Sequence, residues 1–254
     1  MAAEREIVLT PSLSVLLLPH APPSRSPLRG GVAIFADPVF DLDDPRVTHT
    51  ADKSADAMFA QGFPRLIGTR EEAKAIAELA GPQHAALYLD FNASLPMLLS
   101  VSVSEYSILH LATHGVLDES TPGFSGMVLS LVGQDGHPVF GYLKAHDIAR
   151  LDLRSDLVVL SSCDSAGGVN LSGEGVIGLS RSFLSAGARR VVSTLWSVDD
   201  ETSRELMTTF YSGMLRDGLD PSEALRRSQA KMMRNARTAA PYYWAGFIIT
   251  STTP

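Results

Sequence analysis

One stretch, residues 156–178 (DLVVLSSCDSAGGVNLSGEGVIG), constrains the chain more than any other. Residues 157–160 are a short apolar, partly β-branched run, the pattern of a strand buried on both faces. At its far end stand Ser161, Ser162 and Cys163, the single cysteine of the protein. Turn-forming Asp164, Ser165, Gly167 and Gly168 follow, and then a glycine-spaced start to an apolar helix. A thiol where a parallel strand stops occupies the place at which open α/β sheets bind ligands. Cys163 is therefore the first candidate for a reacting atom.

The flanks alternate strand and helix. Upstream, residues 7–9, 15–18, 32–35 and 85–89 read as short strands, the third stopped by Asp37-Pro38. Residues 41–64 lack a sustained period and read as a long loop. Thr69 and Glu72 form a capping box before the amphipathic helix EEAKAIAELA, which Gly81-Pro82 ends. Residues 94–102 predict a short helix with Pro96 in its first turn. Strands follow at 107–113 and 127–132, then a helix at 142–149. Beyond the cysteine come a helix at 176–186 closed by Gly187, a strand at 189–196, helices at 200–215 and 221–237, and a last strand at 244–250. Asp220 caps the second of those helices. The alternation predicts a three-layer α/β/α sandwich around a mostly parallel sheet.

Composition narrows the function. At 254 residues, with 45% apolar and 19% charged side chains, the chain suits a single domain over 1–254. One cysteine excludes an internal disulfide framework and suits a reducing compartment. A net charge of -7 without a basic run argues against direct nucleic-acid binding and favours basic peptides electrostatically. No apolar run is long enough to span a bilayer, and residues 13–18 do not form a secretion signal, so a cytoplasmic protein without membrane contact is expected.

A thiol attacks a carbonyl as the thiolate, and an imidazole nearby takes the proton and returns it to the leaving amine. His114 qualifies, since it follows a buried strand and precedes Gly115 at the same sheet edge. Gly115 and Cys163 backbone N–H groups would face a tetrahedral oxyanion. On residue type alone, Cys163 is a small buried hydrophobe, so its context carries the catalytic reading. His110 precedes His114 by four, but the stretch is strand-like and no acid/Cys/His cluster completes a metal site, so His110 reads as a hydrogen-bonded core histidine. Neither a metal nor an organic cofactor is called for. Gly173, Gly175 and Gly178 form a GxGxxG with Asp199 further on, a dinucleotide fingerprint in form. Ten residues separate it from the strand tip, so close helix–sheet packing explains the glycines better. Asp199 is assigned in or near an acidic substrate pocket and Asp200 to the helix cap. Ser162 beside the thiol and Trp196 on the following strand join Asp199 as substrate-binding candidates. Glu174 favours the helix dipole, and Tyr242-Tyr243-Trp244 reads as packing at a strand start.

Five blocks carry a family resemblance: PSLSVL faintly, then HLATHG, LDLRSDLVVLSSCDSAGG, GEGVIGLSRSFLSAGARRVVSTLWSVDD and PYYWAGFII. They resemble the CHAT domain, a branch of the caspase-like cysteine peptidases related to separase and metacaspase. The match is best over 85–250, and residues 1–30 read as a truncated or divergent N-terminal part. The resemblance implies a caspase-hemoglobinase fold and a Cys–His dyad falling on Cys163 and His114. Ser162 replaces the family's usual alanine, and Asp164-Ser165 its common Glu-Thr. It further implies a protein or peptide substrate cut as a cysteine endopeptidase, and regulation by a sensor or repeat-domain module. Two other readings stay open, a catalytically inactive caspase-like scaffold and a nucleotide-binding α/β domain.

Overall fold

The computed structural model describes residues 5–10, 30–48, 62–116, 121, 125–161, 173–196 and 198–252. Among the described residues, ten strands form two sheets. β1 (Val8–Leu9), β2 (Val32–Ala36), β3 (Ala85–Leu89), β4 (Ile108–Ala112), β8 (Leu157–Leu160), β9 (Arg190–Thr194) and β10 (Phe247–Ser251) make the main sheet, in the order β1-β10-β9-β8-β4-β2-β3. From β3 to β9 all neighbours are parallel, whereas β10 runs antiparallel to β9 with β1 alongside it. A smaller antiparallel sheet joins β5 (Gly115–Val116), β6 (Gly126–Val128) and β7 (Tyr142–Lys144).

Alternate residues of each strand serve opposite layers. Phe35, Leu109, Leu111, Val158 and Leu160 share one core with α2 (Leu95–Ser100), α3 (Ala145–Ile148) and α4 (Gly173–Ser185). Ile34, Ile108, Leu157 and Val159 share the other with α1 (Ile67–Ala80), α5 (Asp200–Leu215) and α6 (Pro221–Arg234). Both faces of β2, β4 and β8 are thus covered, which is why these strands read as continuous apolar runs. The mostly parallel three-layer sandwich expected from the sequence is the one observed. The chain leaves β2 for β3 on one side and reaches β4 on the other. This reversal of strand order makes the carboxyl ends of β2 and β4 the topological switch point of the sheet.

Several local expectations needed correction. The proposed helix over 142–149 begins as a strand, because Tyr142–Lys144 pairs with β6 and buries only Leu143, leaving one helical turn after it. The capping box at Thr69 and Glu72 does not form. α1 already starts at Ile67, and both side chains turn into the core. The strand proposed over 127–132 spans Gly126–Val128, followed by one bridge between Val132 and Pro138. The strand proposed over 15–18 lies outside the described residues. Among the described residues, no helix is long and apolar enough to cross a membrane.

Candidate active site

His114 stands two residues beyond the end of β4, and the small sheet grips the chain around it. The Thr113 hydroxyl donates to the Val128 carbonyl, and the Val128 N–H donates to the His114 carbonyl at 2.9 Å. The pairing of Gly115 with Met127 is of the non-hydrogen-bonded kind, which directs the Gly115 N–H away from β6. The imidazole is fully buried. Phe40 and Phe63 flank it, with ring centroids 5.0 and 5.3 Å away. Its Nε2 lies 2.7 Å from the Pro64 carbonyl oxygen. A carbonyl only accepts, so Nε2 carries the proton, and Nδ1 is the basic nitrogen of the neutral ring.

β4 and β8 pair in parallel from Ile108 with Leu157 to Leu111 with Leu160, an offset of 49 residues (157 − 108). The Ser161 N–H continues the ladder to the Leu111 carbonyl at 3.2 Å. His114 and Cys163 differ by the same 49 positions. Cys163 and Ser162 themselves lie outside the described residues. Ser161, the last described residue on that side, is buried, and so is Thr194 at the end of β9. Neither hydroxyl has a hydrogen-bond partner among the described residues.

Beyond β9 two assignments change. Asp199, not Asp200, is the N-cap of α5: its Oδ1 accepts from the Thr202 N–H at 3.0 Å and its carbonyl from the Thr202 hydroxyl at 2.9 Å. Asp200 packs instead beside Gly68, where an added Cβ would stand 2.9 Å from the Asp200 Cβ. The cap therefore occupies one oxygen of the carboxylate assigned to the substrate pocket. Trp196 is half-buried against Gly246, and its indole N–H donates to the Tyr242 carbonyl at 2.9 Å. Gly173, Gly175 and Gly178 all fall inside α4, so they do not make the strand-to-helix turn of a dinucleotide site. Close packing does not explain Gly178 among the described residues, since a Cβ there would meet none of them within 4 Å.

His110 is the hydrogen-bonded core histidine expected from the sequence, but its partners escaped that reading, as did a second cluster. His110, fully buried, places Nδ1 3.0 Å from the Tyr211 hydroxyl and Nε2 3.0 Å from Glu72 Oε1. The second contact is close enough for an ion pair but is not aligned as a hydrogen bond. At the tips of β2 and β3, Asp37 and Asp90 both adopt left-handed backbone, with φ of 47° and 54°. Arg46 and Arg70 bridge them, and Arg65 clamps Asp37 with Nε to Oδ1 at 2.8 Å and Nη2 to Oδ2 at 2.7 Å. Burial pushes the Asp37 carboxyl up, but hydrogen bonds from Arg65 and Arg70 and the Arg46 charge outweigh it and hold it below the ordinary value. The only sequence signal for this cluster was a carboxylate at a strand end, Asp37-Pro38.

Among curated proteins, tetratricopeptide repeat protein 28 of Mus musculus and that of Homo sapiens are each 36% identical to this chain over 107 residues. The match covers 42% of the chain and spans only 4% of either relative. Among solved structures, the Arg-specific cysteine proteinase gingipain R aligns over 89% of this chain and 47% of its own, at TM-score 0.49 and 8% identity. The Drosophila initiator caspase Dronc aligns over 90% of this chain and 85% of its own, at TM-score 0.41 and 10% identity. The family profile of the CHAT domain matches residues 1–252, and the chain belongs to the CHAT domain family.

Proposed function

We propose that this chain is a caspase-like cysteine endopeptidase domain in which His114 and Cys163 form a dyad. His114 Nδ1 takes the thiol proton, Cys163 attacks the peptide carbonyl, and the same imidazole returns the proton to the leaving amine. Water then hydrolyses the acyl-enzyme by the reverse use of the same base. Gly115 and Cys163 N–H groups receive the oxyanion, each such donor contributing on the order of 10²- to 10³-fold in rate. The observation that carries this reading is the hydrogen bond from His114 Nε2 to the Pro64 carbonyl, which leaves Nδ1 as the base. The equal offset of 49 along the β4–β8 ladder and between the two residues supports it.

The net charge of -7 and the acidic residues after β9 favour a Lys or Arg before the cut, with Asp199 contributing the oxygen not engaged by Thr202. Ser162 and Trp196 complete the substrate-binding side. Relatives named as tetratricopeptide repeat proteins support control by a repeat module acting on this domain. An active-site-directed thiol probe tests the dyad. Labelling of Cys163 that vanishes in His114→Ala is expected, and unlabelled wild type would make the domain a catalytically silent scaffold. Peptide-library digestion beside Cys163→Ala tests specificity, and a hydrophobic or acidic preference removes Asp199 from the pocket.

A further inference from the structure

We propose that Arg65 is a positioning residue for His114, acting through its ion pair with the buried carboxylate of Asp37. This rests on the reading of His114 as the general base. Two of the groups against the imidazole, the Pro64 carbonyl and the Phe63 ring, belong to residues 62–66, which join no sheet. Gly62 opens the segment at φ 56°, and among the described residues nothing stands within 4 Å of where its Cβ would be. At its other end Leu66 is tied by its carbonyl to the Thr69 N–H and hydroxyl at the first turn of α1. Between these points Arg65 supplies the one side-chain donor of the segment among the described residues.

Its anchor is rigid. Asp37 is fully buried directly beyond β2, the strand that pairs with β4, and its own N–H donates to the Thr69 hydroxyl at 3.0 Å. The two-point fork fixes both distance and angle of the guanidinium, which a single ammonium contact does not. His114 and its orienting carbonyl are therefore referenced to neighbouring strands of one sheet, one through the main chain and the other through Arg65. Loosening that tie lets the Pro64 carbonyl drift from Nε2. The ring then loses its fixed tautomer, and a misplacement of about 1 Å costs on the order of 10²-fold in rate.

Three variants of the full chain test this. Arg65→Ala leaves Asp37 paired with Arg70 and Arg46 and so keeps the fold. Arg65→Lys keeps the charge without the fork. Arg70→Ala removes a comparable ion pair without touching residues 62–66. The readouts are kcat/KM on a peptide selected from the library, its pH profile, and the tautomer of His114 by long-range proton–nitrogen NMR. Arg65→Ala is expected to lower kcat/KM on the order of 10²-fold, with a displaced pH profile and mixed tautomers. Arg65→Lys should recover part of both, and Arg70→Ala should leave the His114 signals unchanged. An unaltered His114 spectrum in Arg65→Ala, or equal changes in Arg65→Ala and Arg70→Ala, overturns the proposal. Because the NMR readout needs no turnover, a wild type without peptidase activity whose His114 tautomer still depends on Arg65 upholds the positioning role while removing the peptidase reading.

Discussion

His110 and His114 lie four residues apart along one strand direction and are both fully buried, yet their surroundings differ in kind. His110 is held from both sides by side chains of helices, Tyr211 of α5 and Glu72 of α1, and so ties two helices to the sheet. His114 meets a backbone carbonyl through one nitrogen and aromatic rings at its flanks, just past the last rung of the ladder. A histidine held by helix side chains is a bracket. One whose outer nitrogen is fixed by a carbonyl has an assigned base nitrogen. Residue type and burial do not separate the two, but partner chemistry does.

Substitution tests the contrast most strongly. His114→Ala should lower kcat/KM by about 10²- to 10⁴-fold, with a smaller loss of stability than His110→Ala because no charged group is left stranded in the core. His110→Ala strands the Glu72 carboxylate in the core and should cost about 3 kcal/mol of stability in denaturant unfolding, while each folded molecule still labels at Cys163. If the two variants lose activity and stability together, the contrast is broken. Tyr211→Phe sharpens it at lower cost. Removing a single buried hydroxyl from His110 should take away about 1 kcal/mol and leave the rate alone.

Titration separates the same two regions more gently. Burial and the Glu72 charge push the Tyr211 phenol well above its ordinary value of 10.0. Its contribution to stability is present below pH 10 and is lost as pH rises through the higher folded value. Phenolate absorbance should therefore show Tyr211 ionising only as the fold gives way. Asp37, on the His114 side, is held below its ordinary 3.8 despite burial. Its contribution is present above that value and is lost as pH falls through the lower folded one. Arg65→Ala should shift acid unfolding to higher pH, read by circular dichroism.

Much of this was legible in the chain. Apolar runs in β2, β4 and β8 announced buried parallel strands because both faces of each are covered. The helix over Asp200–Leu215 follows its periodicity, although the cap is Asp199. What escaped detection depends on neighbours distant in sequence. Tyr142–Lys144 is a strand only because β6 lies beside it. The spacing of Thr69 and Glu72 fits a capping box, yet both are drawn inward by Asp37 and His110, which come from other elements. The Pro64 carbonyl has no side-chain signature, since every residue carries one. Arg65 and Asp37, 28 positions apart, meet only after the sheet forms.

The ladder between β4 and β8 also changes what the interval between the proposed base and nucleophile means. Each overhangs its last paired rung, Leu111 or Leu160, by three residues. The ruler that matters runs down the strands, and the count of residues looping between them is incidental. The small sheet and α3 occupy that intervening chain, so insertions there would lengthen a detour without moving either end. One residue inserted between Leu111 and His114 would instead make that interval differ from the one between Leu160 and Cys163, and is expected to part the proposed pair.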